Sequence, residues 1–161
     1  MMVDKEKFLT ARGYEIAAAG NSLTPSMEDY IEMIYRLSRR KRSIRVNDLA
    51  ERLNVQPPSV TKMMQKLHEK DLLNYEKYGM ISLTDEGERL GSFFLLRHNT
   101  LKELLYLLGA EKNLQRDVEQ IEHHISAETF ESLYALVQFF QDNTNALKSF
   151  LQYKEKMKRD Y

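Results

Sequence analysis

Glu119, Glu122 and His123 stand at the spacing i, i+3, i+4. On an α-helix these side chains share one face, and carboxylates beside an imidazole offer oxygen and nitrogen donors to a divalent cation. Two more segments offer matching groups. Asp29 and Glu32 form an i, i+3 pair, and His98 lies among Phe93, Phe94, Leu95, Leu96 and Leu101. Each fragment alone also fits a plainer role, because an acidic pair is commonly solvated surface and a histidine in an apolar stretch is commonly a satisfied core residue. The combination of carboxylates and imidazoles without thiols favours a metal site. Such donors suit Mn(II) or Fe(II), and Zn(II), Co(II) or Cd(II) can bind them too. Six donors suffice for two ions per subunit sharing bridging carboxylates.

The elements that must carry these residues are mostly helical. A helix is expected from Met27 to about Arg39, with Ser26 as its N-cap and Tyr30, Ile31, Ile34, Tyr35 and Leu37 as its apolar side. A short helix over Val46–Leu53 and another from Pro57 to about Lys70 flank the turn Asn54-Val55-Gln56. Prolines are tolerated in a first helical turn, and two short helices about a tight turn form a helix-turn-helix. From Leu73 to Thr84 apolar and polar residues alternate around Tyr78-Gly79, which predicts a two-stranded wing with Gly79 in its turn. Thr84 is expected to cap a long helix over Asp85–Leu108, ended by Gly109. Helices over Leu114–His124, from Ser126 to about Phe140, and from about Thr144 onward complete the chain. Residues 1–23 read as an extension in which Phe8, Leu9, Tyr14 and Ile16 favour a short helix broken by Gly13, Gly20 and Asn21.

Charge separates the helix-turn-helix from the rest. The chain holds 24 basic and 24 acidic residues, yet the segment from Arg36 to Tyr78 has 11 Lys/Arg against 5 Asp/Glu. A basic stretch over a helix-turn-helix suits DNA. The second helix presents Pro57, Pro58, Ser59, Thr61, Lys62, Gln65 and Lys66, of which Gln and Lys can read base edges while Ser, Thr and Lys can hold phosphates. Arg45 before the first helix and Lys77 and Tyr78 on the wing are the remaining candidates for DNA contact.

Other chemistries are excluded or disfavoured. With no cysteine there is no disulfide, thiolate zinc site or cysteine nucleophile. The chain lacks His-Glu-x-x-His, a paired Glu-x-x-His, a Gly-rich phosphate loop and a Gly-x-Ser-x-Gly elbow, so an enzyme is not expected. No apolar run approaches the roughly 18 residues of a membrane span, and Met1–Lys7 is charged without a signal-peptide core. The expectation is a cytoplasmic protein with no membrane association.

Thr24-Pro25-Ser26-Met27-Glu28-Asp29-Tyr30-Ile31-Glu32, Pro58-Ser59-Val60-Thr61-Lys62-Met63, Tyr75-Glu76-Lys77-Tyr78 and Asp117-Val118-Glu119-Gln120-Ile121-Glu122-His123-His124 resemble the manganese-sensing branch of the diphtheria toxin repressor (iron-dependent repressor) family. The resemblance covers about residues 24–150. It implies a mainly α fold: a winged helix-turn-helix DNA-binding domain over 24–92, then an all-helical metal-binding and dimerisation domain over 93–161. It implies a repressor that binds a palindromic operator as a homodimer when Mn(II) is bound, controlling manganese uptake genes. An iron-responsive repressor of the same fold is the alternative. The family's ligand positions fall on Asp29, Glu32, His98, Glu119, Glu122 and His123, all occupied by expected residues. The iron-sensing branch has Met and Cys where this chain has Asp29 and Glu119, and hard oxygen in place of soft sulfur favours manganese. That branch often adds an SH3-like domain, which is not expected here. The wing sequence Lys77-Tyr78-Gly79-Met80 lacks the further basic residue that follows the tyrosine in manganese regulators.

Overall fold

The computed structural model describes residues 23–76 and 79–159. In chain order the described elements are α1 (Pro25–Ser38), β1 (Ile44–Arg45), α2 (Val46–Leu53), α3 (Pro57–Glu69), β2 (Leu73–Tyr75), β3 (Met80–Leu83), α4 (Asp85–Leu107), α5 (Leu114–Glu122), α6 (Ala127–Asp142) and α7 (Thr144–Arg159). The expected helix within the extension falls outside the described residues.

Local chemistry accounts for the boundaries. The cap of α1 is Thr24, whose Oγ1 accepts from the Met27 N–H at 3.3 Å, and not Ser26 as the sequence suggests. Pro25 has no N–H to bond, so it takes the first helical position and the cap falls two residues upstream of Ser26, at Thr24. At the start of α2 the Arg45 N–H donates to Asp48 Oδ2 at 2.9 Å. Asn54 closes α2 in the left-handed region (φ 53°), which turns the chain into α3. Thr84 and Ser126 cap α4 and α6 as expected, accepting from the Gly87 and Thr129 N–H groups.

The wing expected over Leu73–Thr84 is the antiparallel pair β2 and β3, and β1 adds a third strand to their sheet. Ile44 pairs opposite Ile81 and Arg45 opposite Met80, so the sheet order is β1-β3-β2, antiparallel throughout. A strand of two residues is too short for alternation to betray it in the sequence. Gly79 sits in the wing turn at φ +72°.

The core of the head joins Ile31, Ile34, Leu49, Val60, Met64, Leu67, Leu73 and Ile81, with Phe94 reaching in from α4. Helix α4 crosses α1 at close range. A Cβ built on Gly91 would lie 2.6 Å from Tyr35 Cβ, so only glycine permits this approach. The crossing sets His98 of α4 opposite the Asp29/Glu32 side of α1. Beyond it α4 continues into the C-terminal half, where Leu101, Leu104, Val118, Phe130, Val137 and Phe140 are buried. Helix α7 buries none of its residues, and no described helix is long and apolar enough to cross a membrane.

Candidate metal centre

Three elements converge on the site. Asp29 and Glu32 come from α1, His98 from α4, and Glu119, Glu122 and His123 from α5 and its end. Helix α5 stops at Glu122, two residues before the expected His124. The His124 N–H bonds the Ile121 carbonyl at 3.0 Å, a tightened last turn. His123 keeps helical dihedrals as the C-cap, so its ring still joins the face of Glu119 and Glu122.

All six sequence-nominated donors fall into two clusters that could hold a cation. Asp29, Glu119, Glu122 and His123 each place one donor atom within 4.8 Å of the others, and Glu32, His98 and Glu122 do the same. Glu122 belongs to both. It is 1% exposed and His98 5%, so the shared carboxylate lies at the bottom of a cleft of about 440 Å3 with Glu119 on its rim.

The hydrogen bonding is that of a site held by protons. His98 Nδ1 bonds Glu122 Oε2 at 3.0 Å, and this partner holds the imidazole proton more tightly than usual. His123 Nε2 lies 3.1 Å from Asp29 Oδ1, and its Nδ1 donates to Glu28 Oε2 at 2.9 Å. These two carboxylates, Asp29 foremost, raise the His123 pKa to about 10. Burial, then the neighbouring Glu122, pushes the Glu119 carboxyl upward. Carboxylates crowded this closely, with imidazoles holding extra protons, fit a divalent cation that would replace those protons.

Sequence reasoning missed the support behind His123. Glu28 accepts from His123 Nδ1 and from Arg97 Nη2, the latter at 2.6 Å. With Nδ1 so engaged, His123 turns Nε2 toward Asp29 and Glu122. Arg97 is itself buried and stacks over Phe94, its guanidinium carbon 4.9 Å from the ring centroid. An arginine inside an apolar helical stretch was the available signal for this network, since a buried charge needs a partner. Nothing in its spacing distinguishes Glu28.

The nominated DNA-contact residues lie elsewhere, on α3 and just before α2. Arg45, Pro57, Pro58, Ser59, Lys62, Gln65 and Lys66 are exposed. Thr61 is half-buried, and its hydroxyl donates to the Pro57 carbonyl of its own helix at 3.2 Å. Lys77 and Tyr78 fall outside the described residues.

Residues 22–81 match a family model described as iron dependent repressor, N-terminal DNA binding domain, and residues 84–151 match iron dependent repressor, metal binding and dimerisation domain. The HTH-type transcriptional regulator MntR of Geobacillus kaustophilus (strain HTA426) is 48% identical over 127 residues, covering 78% of this chain and 90% of that protein. The chain belongs to the iron-dependent repressor family. MntR of Bacillus subtilis (strain 168) is 46% identical over 121 residues, covering 74% of this chain and 85% of that protein. The solved structure titled "Structure of the manganese regulator SloR" superposes with a TM-score of 0.62 at 30% identity. That match covers 73% of this chain and 55% of the SloR chain, so this chain spans about half the length of that regulator. Iron-dependent repressors are transcriptional regulators and not enzymes, and the expected winged head followed by a helical dimerisation domain is the architecture found.

Proposed function

We propose that this protein is a manganese-responsive transcriptional repressor that binds a palindromic operator as a homodimer when Mn(II) is bound, and that it controls manganese uptake genes from the cytoplasm. One observation carries the reading: donors from the DNA-binding head (Asp29, Glu32) meet donors from the helical half (Glu119, Glu122, His123) around one shared, buried carboxylate. The six donors are Asp29, Glu32, His98, Glu119, Glu122 and His123, and they would hold two ions, with Glu122 common to both clusters. Neither cluster contains sulfur, which favours Mn(II) over softer metals. Bound Mn(II) supplies positive charge and directional coordination between α1 and α4–α5. The residues do the rest: α1 is tied to the C-terminal half, and the arrangement whose two recognition helices match half-sites is selected. Arg45, Ser59, Lys62, Gln65 and Lys66 then meet DNA. By linkage, operator DNA tightens Mn(II) binding by the same factor.

The test is a gel shift of metal-stripped protein on fragments of its host genome, without metal and with Mn(II), Fe(II) or Zn(II). A discrete shift requiring Mn(II) is expected, and Glu119→Ala should abolish the metal stimulation while leaving the dimer intact in gel filtration. Activation by Fe(II) in place of Mn(II) would assign the protein to iron sensing. A shift indifferent to metal would reduce the cluster to a structural site.

A further inference from the structure

The two clusters share Glu122 but differ in what already neutralises them. The first gathers three carboxylates (Asp29, Glu119 and Glu122) around one imidazole, and the second gathers only Glu32 and Glu122. Glu32 is also occupied. Arg36, one turn further along α1, donates from Nε at 2.8 Å and from Nη2 at 2.5 Å to the same oxygen, Oε1. A glutamate followed by a basic residue at i+4 is the favourable order for such a pair. The Glu32 side chain is 11% exposed and that of Arg36 36%, so the guanidinium lies over the carboxylate at the mouth of the cleft. On its other side Arg36 borders a second cavity of about 520 Å3 that it shares with Arg39, Arg40 and Arg52. No carboxylate lines that cavity. Glu32 is therefore the acid that Arg36 can hold, with three like charges behind it.

We infer that Arg36 is a specificity-determining residue that weakens the second metal position and so sets the order in which the two positions fill. The inference rests on the metal-sensor reading. A positive charge fixed on Glu32 repels a dication arriving between Glu32, His98 and Glu122, and it engages an oxygen that would otherwise be free to coordinate. In a part-buried cleft this repulsion is only partly screened. At the first position no donor is paired with a guanidinium, because the nearby Arg97 is held by Glu28 and not by any of the four donors. Asp29, Glu119, Glu122 and His123 thus take metal at low Mn(II), and Glu32, His98 and Glu122 at higher Mn(II). A single protein then has two thresholds.

The experiment is a Mn(II) titration of the full chain without DNA, following free Mn(II) by its electron paramagnetic resonance signal. Wild type, Arg36→Met and Arg36→Lys are compared, and thermal melts of the metal-free proteins confirm folding. Wild type should fill in two steps, or in one step with a second ion appearing only in the Met variant. Arg36→Met should tighten the second step by roughly tenfold or more and leave the first within about threefold. Arg36→Lys keeps the charge and should keep the gap. Arg36→Gln gives the same readout should the Met variant fail to fold. A second step that is unchanged or weaker in Arg36→Met overturns the inference, as does equal tightening by lysine. Absence of any Mn(II) step in wild type instead overturns the metal-sensor reading itself.

Discussion

The interior of the DNA-binding head is apolar throughout: Ile31, Ile34, Leu49, Val60, Met64 and Leu67 are all fully buried. The joint between α1, α4 and α5 is filled instead with carboxylates, imidazoles and two guanidiniums, of Arg36 and Arg97. Both regions use α1, whose one face supplies Ile31 and Ile34 to the core while another supplies Asp29 and Glu32 to the joint. The contrast shows how a rigid reader can be coupled to a variable joint. Apolar burial holds the head at any metal concentration, whereas the joint gains its cohesion from whatever cation occupies it, protons or metal.

The contrast is broken most severely by Glu122→Gln. This change removes the donor common to both clusters, so Mn(II) binding should weaken by more than about 100-fold, and metal-stimulated DNA binding should vanish. The melting temperature of the metal-free protein should stay close to wild type, because glutamine can still accept from His98. A titration beside a thermal melt checks both halves, and retained tight Mn(II) binding would show that the donors are not these. The reverse experiment is Ile34→Ala. It should destabilise the head by about 2–5 kcal/mol whether or not Mn(II) is present, read by denaturant unfolding. A loss confined to the metal-bound state would contradict the separation of core from joint.

The smallest effect is on pH dependence. His123 has a folded pKa raised to about 10 by Asp29 and Glu28, against an unfolded value of about 6.5. Its proton therefore stabilises the metal-free fold fully below about pH 6.5, and that contribution is lost as pH rises toward 10. Metal ligation must expel the same proton. Mn(II) affinity should climb by about tenfold per pH unit for each proton displaced between pH 6.5 and 8. The raised pKa of His98 acts in the same direction. Calorimetry in buffers of differing ionisation enthalpy counts the protons released, and a count of zero would remove His123 from the ligand set.

Much of this organisation was legible in the chain. The caps at Thr84 and Ser126, the Pro57-Pro58 helix start and the breaks at Gly109 and Asp142-Asn143 are local chemistry, and local chemistry survives folding. The donor face Glu119/Glu122/His123 was readable because helical periodicity alone places those side chains together. Strand β1 was not readable, because two residues carry no period and Ile44 is a strand residue only through its pairing with Ile81. The cap at Thr24 was misjudged by two residues because a serine just inside a helix has the same composition signal as a true cap.

What the sequence by itself determined is the inventory: six oxygen and nitrogen donors on three helices, a helix-turn-helix with a basic surround, and the glycines of the wing turn and the helix end. Only the tertiary structure decided how that inventory is partitioned. It assigned Glu122 to both clusters, set Glu28 and Arg97 behind His123, and laid Arg36 on Glu32. Asp29 and His123 are far apart in the chain yet 3.1 Å apart in space. The packing of α1 on α4 at Gly91 sets such long-range distances, and no spacing along a single helix encodes them.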